Sequence, residues 1–153
     1  MELQETSQEY CQSTIGLYRM SMVNIAERLW HIQSKELWGG MWSSWEEFLG
    51  EMGMKKGTAS KLCSLYERIV IELKFPSETL HVAPWTNLYA ALPMMTNYKE
   101  AEMAIEKAQV LTGKEIQIEC YEHKHGRECP HEHTILLRHC LDCKIYMKVH
   151  EQG

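Results

Sequence analysis

Apolar residues recur near the start of the chain at Cys11, Ile15, Tyr18, Met22, Ile25, Leu29 and Ile32, in unbroken steps of four and three. That spacing returns to one side of an α-helix, so a single long helix is expected from about residue 7 to 35, with Gly39-Gly40 ending it. A seam of this kind packs against another helix, either within the domain or across the axis of a homodimer formed through helix 7–35. Three heptads do not distinguish the two.

Ser43 or Ser44 is placed to cap a second helix. Trp45, Phe48, Leu49 and Met52 line one face, and Glu46 and Glu47 sit in the first turn, where a carboxylate favours the helix dipole. Gly53 ends it. A third helix is expected from Gly57 or Thr58 to about Lys74, with Leu62, Tyr66, Ile69 and Leu73 inward and Pro76 beyond its end. Ser77–Leu80 reads as a short helical turn, and Pro84 as the first residue of a helix that reaches Leu92 before Pro93 breaks it. Asn97 caps one more, with Ala101, Ala104, Ile105 and Ala108 on a common face and Thr112-Gly113 at its close. Lys114 to Cys120 fits a strand or a helical turn, and Glu122 to Glu128, without an apolar residue, reads as a linker. The expected organisation is mainly α: a helical domain over residues 1–119, then a small β-type tail over 120–153.

Charge changes this picture in one respect. The formal net charge is −5, and the acid lies in residues 1 to 53, which hold eight Glu against three basic residues. Elsewhere acid and base balance. A nucleic-acid binder usually carries a basic excess, because neutralised phosphates supply most of its non-specific affinity. The only local excess is in residues 54 to 68, with four basic residues and one acidic. No apolar run approaches the ~20 residues of a membrane span, and the N-terminus lacks a basic start followed by an apolar stretch. A cytoplasmic location with reduced cysteines is therefore expected.

In a reducing compartment, clustered Cys and His are read first as metal ligands. Cys129-Pro-His131-Glu-His133, a β-prone run, His139-Cys140-Leu-Asp-Cys143 and a second β-prone run from Lys144 to Val149 succeed one another as in a zinc ribbon. Cys129, His131, Cys140 and Cys143 are the expected ligands of one structural zinc ion. Thiolate and imidazole suit the borderline softness of Zn²⁺, and four of them close a tetrahedron with no position for substrate. His133 is the rival fourth ligand, since alternate residues of an extended segment face the same side. Cys120, His123, His125 and His139 are further substitutes. Cys11 and Cys63 fall on helical core faces and are expected to be small buried hydrophobes.

Residues 45 to 64 resemble the helix-turn-helix of bacterial and phage DNA-binding proteins. That unit places apolar residues at its fourth, eighth, tenth, fifteenth and eighteenth positions and glycine at its ninth; here these are Phe48, Met52, Met54, Ala59, Leu62 and Gly53. Leu49, at the usually small fifth position, and Ala59, at the usually branched fifteenth, depart from the pattern. The resemblance implies a helix-turn-helix-like unit over 45–68 whose third helix reads DNA with Lys55, Lys56, Thr58, Ser60 and Lys61, and with Ser64 and Arg68 further along. More loosely, residues 20 to 115 resemble small helical proteins of phages and mobile elements, through Trp45 to Leu49, Ser60 to Glu67 and Trp85 to Tyr89.

No nucleophile with a base, phosphate-cradling glycine loop or open metal site stands out. A His-rich metal nuclease built from His123, His125, His131 and His133 lacks room for the helix that comes after the strands in such folds. No enzymatic activity is expected. Two function classes remain: a DNA-binding regulator with a structural zinc site, or a protein-binding inhibitor or adaptor whose acidic first third faces a basic partner surface.

Overall fold

The computed structural model describes residues 7–127 and two short strands at 137–139 and 146–148. The chain is mainly helical. The long amphipathic N-terminal pattern forms α1 (Ser7–Ser34). Val23, Ala26 and Leu29 are buried, and Met22, Ile25, Trp30 and Ile32 pack partly buried beside them. From Met22 onward the heptad seam is therefore used inside the chain, where α1 lies against α3 (Lys56–Tyr66) and the 3-10 turn Ser77–His81. The side chains of Cys11, Ile15 and Tyr18 lie outside the described residues. The helix stops earlier than its glycine pair: Glu36 takes a left-handed conformation at φ 50, which breaks the hydrogen-bond ladder. Gly39 and Gly40 fall in a 3-10 turn, Leu37–Gly40.

The second helix, α2 (Trp45–Met52), is capped by Ser44, whose Oγ accepts from the Glu47 N–H at 3.1 Å. Glu47 reaches back to accept from the Ser43 N–H at 2.7 Å and from its hydroxyl. These bonds from Ser43 hold the Glu47 carboxyl below the usual glutamate range. α3 buries Ala59, Leu62, Cys63, Leu65 and Tyr66, as its period requires. It does not continue as an α-helix to Lys74. Glu67–Glu72 widens into a π turn, and Lys74 closes the segment in the left-handed region at φ 63. The widened turn coincides with the β-branched run Ile69-Val70-Ile71, whose side chains crowd a regular α-helix.

α4 (Trp85–Ala91) comes directly after Pro84, and Pro93 falls in a 3-10 extension, Leu92–Met94, rather than ending helical structure outright. α4 packs against α3, against α5 (Tyr98–Val110) and against α6 (Gly113–His125). Asn87 joins α4 to the end of α5, donating through Nδ2 to the Ala108 and Leu111 carbonyls at 3.3 and 3.1 Å. The largest fully buried side chains, Leu29, Leu49, Leu62, Leu65, Ile69, Leu88, Met95 and Ile116, come from five of the helices and the turns between them. They form one core, as expected where helices pack on helices around a shared apolar interior.

α6 revises the C-terminal reading. Thr112 and Glu115 form a complete capping box, so Thr112 opens a helix as well as closing α5. Lys114 to Cys120 is helical, and so is the first part of the expected linker, as far as His125; Gly126 then ends the helix at φ 66. Beyond it, β1 (Leu137–His139) and β2 (Tyr146–Lys148) pair antiparallel, with His139 opposite Tyr146. Among the described residues, no helix is long and apolar enough to cross a membrane.

The α5 cap offers a direct check. Asn97 Oδ1 accepts from the Glu100 N–H at 3.0 Å, and Asn97→Ala is expected to cost about 1 kcal/mol by leaving that donor unpaired. Urea unfolding measures it; a midpoint unchanged from the parent would show that the cap contributes nothing.

Candidate nucleic-acid interface

The connection between α2 and α3 is built by Gly53. It holds φ 70 at the end of α2, where an L side chain would be strained, and its N–H donates to the Gly50 carbonyl at 3.0 Å. The Met54 N–H then reaches the Leu49 carbonyl at 3.0 Å, and Lys55 is extended at φ −72 and ψ 139 before α3 begins. Behind the turn, Leu49, Ala59 and Leu62 are buried. Three positions of the helix-turn-helix pattern thus behave as the resemblance implies: glycine at the turn, and the fifteenth and eighteenth residues in the core; Leu49, the departure at the fifth, is buried with them.

The eighth position does not follow the pattern. Met52 is 44% exposed, and Phe48 and Met54 are only half-buried. Leu49 accounts for part of this. It occupies the core site that a small fifth residue would leave open, and Phe48 turns toward Trp42 and Trp45, with ring centroids at 5.1 and 5.4 Å. The corner is closed by aromatic rings as much as by the residues the pattern names.

The expected DNA-facing residues divide into four groups. Lys55, Ser60, Lys61 and Ser64 are exposed, the last three on the side of α3 opposite Ala59, Leu62 and Cys63. Lys56 is exposed but pairs with Glu46 across the turn, and this bond lowers the Glu46 carboxyl below its usual range. Thr58 is half-buried. Arg68 is committed elsewhere. It lies in the π turn, donates from Nε and Nη2 to the Met95 carbonyl at 3.1 and 2.5 Å, and pairs with Glu72 through Nη1. Its first role is to fasten the π turn to the segment between α4 and α5. The N-terminus of α3 has no side-chain cap, since Lys55 occupies the cap position. Its first N–H groups and positive dipole end stand beside two lysines, an arrangement suited to an anion.

On the other flank of α3 lies an open groove of about 750 Å³ between α3, α4 and α6. No sequence pattern announces it. Lys61, Ser64 and Arg68 form one wall, Thr86 and Tyr89 come from α4, and Gln117 and Cys120 from α6. Lys61 Nζ lies 5.6 Å from the centroid of the Tyr89 ring. The Cys120 thiol lies 3.2 Å from the Ala90 carbonyl, to which it donates. Burial, with Glu119 nearby, pushes its pKa upward, so it stays a neutral thiol rather than a nucleophile. Cys63, buried in the core as expected, is pushed up to about 11 by burial, with a contribution from Glu67.

Of the expected zinc ligands, Cys129, His131, Cys140 and Cys143 lie outside the described residues, as does the rival His133. The substitutes Cys120, His123 and His125 are on α6. Cys120 lines the groove, and the His125 ring lies tilted against Tyr121 with centroids 4.2 Å apart. Among the described residues no three metal-ligating side chains are grouped to hold an ion, and no charged side chain is buried. No family model matches the chain, and no curated protein and no solved structure is significantly similar to it.

Proposed function

We propose that the protein is a DNA-binding regulator of the phage or mobile-element type, in which α3 reads duplex DNA and a zinc-bound tail adds a further contact. The observation that carries this reading is the division of α3. Lys55, Lys56, Ser60, Lys61 and Ser64 are exposed beside a glycine-built turn, while Ala59, Leu62 and Cys63 anchor the opposite side in the core. Residues that reach phosphates and base edges must stand on a helix held rigidly from behind. For the tail, support comes from the order of the sequence, in which Cys140 and Cys143 fall between the segments that form the antiparallel pair β1 and β2, as the knuckle of a zinc ribbon does.

The test is a salt series of fluorescence-anisotropy titrations against random-sequence duplex. Affinity should fall steeply with salt as counterions are released. Lys55→Ala with Lys56→Ala should abolish measurable binding at moderate salt and, where binding persists at low salt, reduce the salt slope by about 2. The melting midpoint should stay where it was, since the ion pair lost is the exposed one to Glu46. Unaltered binding in this variant removes the helix-turn-helix reading.

A second reading, a protein-binding inhibitor or adaptor, is favoured by one feature. Leu37 and Met41 are 61% and 82% exposed, and Met52 lies one turn along α2 from Phe48, which meets Trp42. These exposed apolar residues fall in the acidic first third of the chain, which also carries Glu46, Glu47 and Glu51. The tryptophans add little to it, because Trp38, Trp42 and Trp85 are all half-buried. No duplex binding even at low salt would turn the search to a basic protein partner.

A further inference from the structure

The groove between α3, α4 and α6 has the makings of a ligand site that shares Lys61 and Ser64 with the proposed duplex-reading surface but extends from it to α4 and α6. Its volume of about 750 Å³ is within the range of roughly 300–1,000 Å³ typical of small-molecule sites. Its chemistry is uneven. Its lining includes the cations Lys61 and Arg68, the ring of Tyr89 and the apolar residues Ala90, Leu92 and Pro93. Ser64, Thr86 and Gln117 add hydroxyl and amide groups.

We propose that this groove binds a nucleotide, with the base stacked on Tyr89 and the phosphate held by Lys61 and Arg68. Arg68 has five N–H groups, of which three are used on the Met95 carbonyl and Glu72, leaving two for an anion. The bonds to Met95 fix its guanidinium, so little side-chain entropy is lost when a phosphate arrives. Lys61 lies over the Tyr89 ring in the free chain. Its exposed head and flexible stem allow it to swing to the phosphate, giving up a cation–π contact for an ion pair and freeing the ring face for a base. Sugar hydroxyls meet Ser64, Thr86 and Gln117. The same chemistry is presented by a free mononucleotide and by a nucleotide within a single strand, which tracks a basic groove and stacks on aromatic rings in the same way.

The experiment is calorimetric titration of the full chain with adenosine 5′-monophosphate, with adenosine, and with a short oligothymidylate. Saturable binding of the monophosphate, with adenosine at least about tenfold weaker, assigns the groove to a free nucleotide. Saturable binding of the oligothymidylate alone assigns it to a single strand. In either case Tyr89→Leu should weaken binding about fivefold or more, the loss expected for one stacked base. Lys61→Glu, on an exposed side chain that folding does not need, should weaken it further. Absence of binding by both phosphorylated probes, or affinity unchanged in Lys61→Glu and in a folded Tyr89→Leu, overturns the proposal. Lys55→Ala with Lys56→Ala should leave nucleotide affinity intact, so failure of the duplex reading and failure of this one are separable.

Discussion

Leu62→Ala should lower the stability of the helical domain by about 2–5 kcal/mol, the usual cost of removing a large side chain from a packed interior that relaxes only in part. Leu62 is fully buried on α3, the helix against which α1 packs. Against a total of roughly 5–15 kcal/mol for an ordinary domain, the loss is severe. Urea unfolding followed by circular dichroism should show a much lower midpoint at an unchanged slope. Met52→Ala supplies the contrast. In the helix-turn-helix pattern both positions are core sites, yet Met52 is 44% exposed, and its removal should cost no more than about 0.5 kcal/mol. Equal losses at the two positions would mean that α2 packs as the pattern implies rather than as the structure places it.

Cys140→Ser should release the zinc that the tail is proposed to hold and unfold residues beyond α6, while leaving the helical circular dichroism largely intact. A tail of this length cannot bury a core worth much on its own, so metal binding would supply most of its folding free energy, with apparent values of about 10–16 kcal/mol known for structural zinc in small peptides. Metal content and the amide spectrum of the tail are the measurements. Retention of full zinc content would remove Cys140 from the ligand set. Collapse of the whole helical signal would show that tail and helices fold as one unit.

Most helical starts are legible in the sequence because capping chemistry is local. Ser44 and Asn97 accept from the N–H three residues on, and each stands directly before a run with helical period. Thr112 has the same local chemistry, as Thr-x-x-Glu, yet with Gly113 beside it the sequence points to the end of α5 rather than to a new start. The cause is the weak pattern of α6 itself. Only Ile116 is fully buried along that helix, so the apolar period that would announce it is faint. Arg68 shows the opposite limit. Its type and place on the third helix suggest a phosphate contact, whereas the carbonyl it binds lies 27 residues away, beyond the reach of any local pattern.

The sequence by itself determined the helical character of residues 7–111, the caps at Ser44 and Asn97, the glycine turn before α3 and the cysteine and histidine spacing of the tail, since each depends on residues within a few positions of one another. Tertiary structure decided that α1 uses its seam inside the chain from Met22 onward, that Leu49 rather than Met52 enters the core, and that Lys61, Tyr89 and Gln117 share one groove. Those outcomes depend on which helix faces compete for the same buried volume, and that competition joins residues far apart in the chain.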